Sequence, residues 1–339
     1  MEEWKSVLKS DPIEWLLEDN NPSVRYFALL EVLDKDPNDS EVKEAKGKIM
    51  TEGIVPKILS KQKAGGYWEA PQDFYIRTKY KGTVWSFIIL AELGADGNDE
   101  RIRKACEFIL ENSQDMSSGG FAYYSANKGG GDRNKIAPCL TGNMLWGLIR
   151  FGYLNDPRVQ KGIEWITTYQ RFDDGIEEAP TDWPYNIGSK KGEGCWGTHT
   201  CHMGVVKNLK ALAEIPEEKR TKEVKGTIEQ GVEYMLKHRI YKRSHDLNQV
   251  GKVEWTQAGF PLMWKIDFLE VLLILIKLGY KDERMQDAID LLLSKQNENG
   301  RWILENTFNG RMQANIELKG KESKWITLNA LKVLKKYSN

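Results

Sequence analysis

The chain has 339 residues, with 49 Lys plus Arg against 49 Asp plus Glu, so its formal net charge is zero. That balance argues against bulk binding to nucleic acid or an anionic membrane, which shows as a basic excess. Hydrophobic content of 40% with 29% charged residues is that of a packed globular protein.

The four cysteines are too few for a disulfide framework at this length. The most apolar run, 268–280, contains Glu270 and Lys277 and is too short to cross a bilayer, so no integral membrane segment is expected. Met1 is followed by Glu2, Glu3 and Trp4 rather than by a basic and then apolar leader. A cytoplasmic, reduced protein is expected.

In chain order, residues 4–17 read as an amphipathic helix, and 22–33 with 40–59 as a first helical hairpin. Three stronger units then share one pattern. Thr83 to Gly94 precedes Asp99 to Leu110, Thr141 to Gly152 precedes Asp156 to Ile166, and Asp267 to Gly279 precedes Asp282 to Leu292. In each, a nearly all-apolar helix ends at a glycine suited to a left-handed C′ position, and an Asp caps a second, amphipathic helix. Thr198 to Ile215 with Lys219 to Leu236 makes a weaker unit, and 324–337 is an apolar helix with no partner after it. Gln and a Gly-rich turn with an aromatic close the units, as in Gln62…Gly66-Tyr-Trp68, Gln114…Gly120-Phe121, Gln170…Gly175 and Gln296…Gly300-Arg-Trp302.

Helices apolar all round lie inside and amphipathic ones cover them. The fold expected is therefore all-α, an (α/α)6 toroid of six helical hairpins with inner and outer rings, forming one domain over 1–339. Helix 4–17 would close the ring against helix 324–337. The segments leading into the inner helices run to about 14 to 23 residues where ~4 to 6 is usual. All of them fall on the rim holding the N-termini of the inner helices, which is where a functional funnel is expected.

The Gln-x-x-x-Gly-x-Trp endings at 62–68 and 296–302 resemble the repeat of squalene and oxidosqualene cyclases. The chain thus resembles the terpenoid cyclase/protein prenyltransferase α/α-toroid superfamily. Its departures are specific: the Asp-x-Asp-Asp string of squalene-type cyclases and the Asp-x-Cys pair of protein prenyltransferases are both missing. The resemblance implies an enzyme of transferase or isomerase type acting on a small apolar or prenyl-like substrate. A carbohydrate-active (α/α)6 lyase, hydrolase or epimerase and a non-catalytic peptide- or partner-binding ring are the alternatives, and a partner subunit is left open.

Chemistry is densest in Gly194-Cys-Trp-Gly-Thr-His-Thr-Cys-His-Met-Gly204. Zinc favours Cys sulfur and His nitrogen, with three protein ligands and an open position in catalytic sites. Cys139 with Cys201 and His202 or His199 would bridge two inner helices, an arrangement similar to the zinc site of lanthionine cyclases. Alternatively, Cys195, His199 and His202 at i, i+4 and i+7 would share a helix face. Without metal, a cysteine beside His at a helix N-terminus is expected to have a lowered pKa and to act as nucleophile.

Cys139, Cys201, His199 and Asp267 are therefore the candidate catalytic residues. Trp68, Tyr80, Trp183, Tyr185, Trp196 and Trp264 are the candidate substrate-binding rings, able to stabilise a cation by ~0.5 to 2 kcal/mol each or to stack on sugars. Asp173-Asp174-Gly-Ile-Glu177 resembles an aspartate-rich Mg²⁺ motif but occupies a repeat turn, where Asp and Gly are expected anyway. Asp132, Asp182 and Glu193 complete the candidate carboxylates.

Overall fold

A computed structural model of the chain describes residues 3–176, 178, 180–187, 194–197 and 199–338. Glu177 and Glu193 lie outside the described residues. In chain order the helices are α1 (Ile13–Leu16), α2 (Pro22–Phe27, prolonged by a π turn over Ala28–Val32), α3 (Ser40–Thr51), α4 (Val55–Leu59), α5 (Thr83–Glu92) and α6 (Glu100–Asn112). They continue as α7 (Pro138–Arg150), α8 (Pro157–Tyr169), α9 (His202–Ala213), α10 (Lys222–Lys237), α11 (Phe268–Lys277), α12 (Gln286–Ser294) and α13 (Lys324–Ser338). A small antiparallel hairpin, β1 (Lys242–Arg243) with β2 (Asp246–Val250), follows α10. Among the described residues no helix is long and apolar enough to cross a membrane.

The sequence logic of the units holds in three dimensions. Helix α5 is buried from Thr83 to Ala91, since its Val, Trp, Phe, Ile and Leu side chains leave no face for water. Its partner α6 buries only Ile102, Ala105, Cys106 and the stretch Phe108 to Leu110. Asp99, Asp156 and Asp282 each accept a backbone N–H at the start of the helical turn that follows and cap as expected, and Asp267 caps α11 in the same way. Gly94, Gly152 and Gly279 take φ of 75°, 90° and 83° after the inner helices, a backbone region that costs glycine nothing.

Inner helices α5, α7, α9, α11 and α13 pack in succession, and α13 packs on α2 and its π turn. Phe27 of α2 lies against Gly94 at the end of α5, where an added Cβ would come within 2.9 Å of its ring. Six inner helices thus form a closed ring, each backed by an outer element, and the fold is an α/α toroid of six hairpins.

The repeat endings are the staples of the outer ring. Gln62 Nε2 donates to Arg101 O at 2.8 Å and Gln114 Nε2 to Arg158 O at 2.7 Å, tying each outer helix to the first turn of the next. Trp68 and Trp302, both fully buried, donate their indole N–H to Ile58 O and Leu292 O at 2.8 Å. Their backbone N–H groups, like that of Phe121, reach the hydroxyls of Thr83, Thr327 and Thr141 at the head of an inner helix. Trp68, expected on a substrate surface, is therefore a core staple.

At the last repeat the N-terminal segment takes the seat of the next outer helix. Lys9 N donates to Gln296 Oε1 at 2.8 Å, and Gly300 presses on Ser10 O as Gly66 presses on Lys104 O. The helix expected over 4–17 is broken, however, into a 3₁₀ turn at Glu3–Val7 and α1, both against α13. Pro12 is the reason: it lacks an N–H and its ring would strike the preceding turn of a continuous helix.

Gly300 combines φ of +69° with a Cβ position only 1.9 Å from the Ser10 carbonyl oxygen. Gly300→Ala is expected to cost about 1–3 kcal/mol and to loosen the N-terminal segment. Urea unfolding with limited proteolysis would show this as lower stability and early cleavage near Ser10; unchanged stability would mean the closure is not a mechanical contact.

Candidate functional site

The long segments do gather at the N-terminal ends of the inner helices, but there they pack against one another. Tyr80 is buried beneath Phe308 at a centroid distance of 4.2 Å, and its hydroxyl accepts from Trp264 Nε1 at 3.3 Å. Trp183 stands edge-on to Tyr169, with the Arg133 guanidinium 3.7 Å over its ring. Tyr185 meets Trp196 at 5.7 Å and donates to Tyr169 O at 3.3 Å. These rings satisfy each other, so the rim expected to be a funnel is closed at them. The recess beside Cys195, Trp196 and Cys201 measures about 10 Å³, too small for an organic ligand.

The Cys/His segment divides into two groups. Cys139 is the second residue of α7, Cys201 is the N-cap of α9, and Cys195 sits in a 3₁₀ turn over 194–196. Cys139 and Cys201 are the near neighbours of the Cys195 thiol. The Cys139 contact, with burial, pushes the Cys195 thiol up to about 12. Cys195 and then burial hold the Cys201 thiol well above its ordinary value. The lowered pKa expected of a helix-terminal cysteine is not found: apolar surroundings and thiol neighbours outweigh the end of α9.

The histidines go elsewhere. Helix α9 begins at His202 and does not extend back, because Thr200 N donates to Asp173 O and His199 pairs as an isolated antiparallel bridge with Asp174. The i, i+4, i+7 face of Cys195, His199 and His202 therefore does not exist. His202 is buried, stacked on Trp255 at 4.2 Å and 5.1 Å from the ring of His238. Burial and then His238 push its pKa down to about 3, so it is a neutral core side chain. Asp173 pairs with Arg171 at 2.5 Å and Asp174 with Lys237 at 2.9 Å, so both carboxylates of the aspartate-rich turn already have cationic partners.

A cavity of about 660 Å³ runs along the ring axis. Its exposed lining residues, Asp34, Arg150, Lys277 and Lys336, stand at the C-terminal ends of α2, α7, α11 and α13, whereas Gly259, Phe260 and Asp267 are buried. It therefore opens on the rim opposite to the one expected, and the segment over 259–267 forms its floor. Its lining includes the apolar Leu30, Leu269, Leu273 and Ile276. It also carries charges projected from the inner helices.

Those charges form a buried chain. Lys207, fully buried in α9, donates to both oxygens of Glu270 at 2.7 Å. Lys210, one turn on, donates to Glu270 at 3.0 Å and also to Glu92 of α5. Burial drives the Lys207 ammonium below its ordinary value despite Glu270. Burial opposes ionised Glu270 too, but Lys207 and Lys210 outweigh it and hold that carboxyl low. Nearer the mouth, Glu214 accepts from Trp146 Nε1 at 3.1 Å and pairs with Lys277 at 2.6 Å.

Asp267 lies at the floor. Its two oxygens accept from Gly259 N and Glu270 N, each at 2.8 Å. Burial raises its pKa to about 7 against the pull of those two N–H groups. Of the candidate catalytic residues it is the one that lines the cavity. Glu92, Lys207, Lys210 and Glu270 were missed by sequence reasoning, although a signal existed: Lys207 and Lys210 interrupt an otherwise apolar inner helix.

No protein-family model matches the sequence, and no curated protein sequence matches it. Solved structures do. A type II terpene cyclase from Scytonema, in complex with geranylgeranyl dihydroxybenzoate, is similar at 17% identity and a TM-score of 0.42, over 94% of this chain and 87% of that one. A family 76 glycoside hydrolase from a bovine Bacteroides thetaiotaomicron strain is similar at 12% identity and 0.46, over 94% and 67%. A family 88 glycosyl hydrolase from Bacteroides vulgatus is similar at 11% identity and 0.47, over 94% and 91%.

Proposed function

We propose that the axial cavity is a substrate site, and that the chain is an acid–base enzyme of the hydrolase, lyase or isomerase kind acting on a small hydroxylated molecule that carries charge. The observation that carries this reading is Asp267, a buried carboxyl with a pKa of about 7 at the floor of a charged cavity. General acid–base catalysis is most effective when the pKa lies near the working pH, and contributes ~10² to 10⁴ in rate. Raising a carboxyl's pKa makes it a weaker acid, which suits protons moving to and from oxygen rather than onto an alkene. A fully apolar chain in the cavity would also strip water from Lys210, Glu92 and Glu214 without replacing its hydrogen bonds.

The apolar lining residues Leu30, Leu269, Leu273 and Ile276 favour a second reading, an isoprenoid with a charged head. A thermal-shift panel of neutral oligosaccharides, sugar acids and prenyl compounds separates the two. Sugar-type ligands are expected to raise Tm; a response to prenyl compounds alone would replace the first reading with the second. Once a ligand and its turnover are found, Asp267→Asn, which keeps an N-cap oxygen, is expected to retain binding and lose about 10² to 10⁴ in kcat. Unchanged kcat would remove Asp267 from the chemistry.

A further inference from the structure

The chain has only four histidines, and all four come together on the side of the ring where α10 ends. They arrive from separate segments: His199 from the stretch before α9, His202 from the start of α9, His238 from the end of α10 and His245 from the β1–β2 turn. His199 and His245 have ring centroids 5.8 Å apart, and His202 and His238 5.1 Å apart. Asp174, 6% exposed, stands among them. Its Oδ1 is 3.8 Å from His199 Nδ1 and 3.2 Å from His238 Nε2, and its Oδ2 is taken by Lys237.

We propose that Asp174, His199 and His245 form a zinc site, separate from the thiol cluster and from the axial cavity. One ligand atom from each of the three lies within 4.8 Å of the other two. In a tetrahedral zinc site with bonds of ~2.0–2.1 Å, ligand atoms are separated by about 3.3 Å. Closing the group needs only a small rotation of two exposed imidazoles.

The surroundings are those of a positioned ligand set. Gly175 has φ of +82°, and a Cβ there would fall 2.3 Å from the His199 ring, so the glycine makes the room in which that imidazole sits beside Asp174. His238 spans two acceptors, the Tyr234 carbonyl 2.8 Å from Nδ1 and Asp174 Oδ1 3.2 Å from Nε2. His238 is thus a positioning residue for the carboxylate, as outer partners of metal ligands are. Ser244 Oγ lies 3.1 Å from His245 Nδ1, leaving Nε2 outward. Two imidazoles and one carboxylate suit zinc, and the exposure of both imidazoles leaves room for a further ligand from solvent.

The test uses untagged full-length chain, stripped with chelator and dialysed against zinc chloride, with the metal counted by elemental analysis. Wild type is expected to hold one zinc per chain. His199→Ala and His245→Ala, both at exposed positions, should weaken binding at least 10-fold with unchanged circular dichroism melting in chelator, while Cys195→Ala should bind as wild type. Cobalt(II) loading reads the donor set independently: nitrogen and oxygen ligands give no sulfur-to-metal charge-transfer band. Absence of zinc from wild type, full binding by both histidine variants, or loss of zinc with a thiolate band dependent on Cys195 would each overturn the proposal.

Discussion

Glu270→Ala is expected to lower unfolding free energy by about 3–5 kcal/mol, the range for removing one partner of a buried ion pair. Among the described residues Glu270 is the sole carboxylate paired with Lys207, which has no exposed surface, and it also pairs with Lys210. Its removal leaves the Lys207 ammonium without a counter-charge in an apolar ring, and burial already pulls that pKa down. The amine would then give up its proton rather than stay charged. Replacing both groups, as in Lys207→Met with Glu270→Leu, should cost far less, since a well-packed apolar pair of similar volume is often neutral or stabilising relative to a buried salt bridge. Urea unfolding of wild type, both single variants and the double variant closes the cycle. A loss below about 1 kcal/mol for Glu270→Ala would mean that water reaches these charges, and the cavity would have to be redrawn.

The same cycle bears on why the chain keeps such a costly arrangement. If the double variant is stable yet no longer responds to ligands that stabilise wild type, the charges serve the cavity rather than the fold. If it is stable and still responds, recognition belongs to the mouth, to residues such as Glu214, Lys277 and Lys332.

How much of this was readable beforehand follows from which interactions are local. Helix type, caps and C′ glycines depend on residues a few positions apart, so Asp99, Asp156 and Asp282 and the all-apolar character of α5 and α11 were legible. Ring closure was legible in outline, because a helix without a partner at each end of the chain has one economical solution; the break at Pro12 is also a local effect that the periodicity overrode. The cavity was not legible. Counting loop lengths locates the long segments but not whether they fold over the rim, and there Tyr80 packs on Phe308, Trp183 on Tyr169 and Tyr185 on Trp196. The division of the Cys/His segment turns on one long-range pairing, Asp174 with His199, which holds residues 199–200 extended and starts α9 at His202. No spacing within 194–204 carries that information.

Asp267 and His202 make opposing contributions to stability as pH changes, and removing either should expose the other. Asp267 titrates at about 7 in the fold, against ~3.9 in the unfolded chain. Between those values the folded state binds the extra proton, so its contribution is full at low pH and is lost as pH rises to 7, about 4 kcal/mol in all. His202 titrates at about 3 in the fold, against ~6.5 unfolded. There the unfolded state binds the extra proton, so its contribution is full above ~6.5 and is lost as pH falls toward 3, about 5 kcal/mol in all. The slopes are equal and opposite between ~4 and ~6.5, near 1.4 kcal/mol per pH unit each, so in wild type they cancel across that window. In Asp267→Asn the histidine acts alone. Its unfolding free energy should rise from pH 4.5 to 6.5 by about 3 kcal/mol more than that of wild type. In His202→Phe, which keeps a ring over Trp255, the same difference should fall about 3 kcal/mol short of wild type. Urea titrations at the two pH values measure both, and carboxylates elsewhere drop out because they are common to all three proteins. Equal pH dependence in wild type and Asp267→Asn would show that Asp267 is solvated and ordinary, and would take from the proposed enzyme the proton donor on which it rests. Equal dependence in His202→Phe would instead place His202 in contact with water and leave Asp267 untouched.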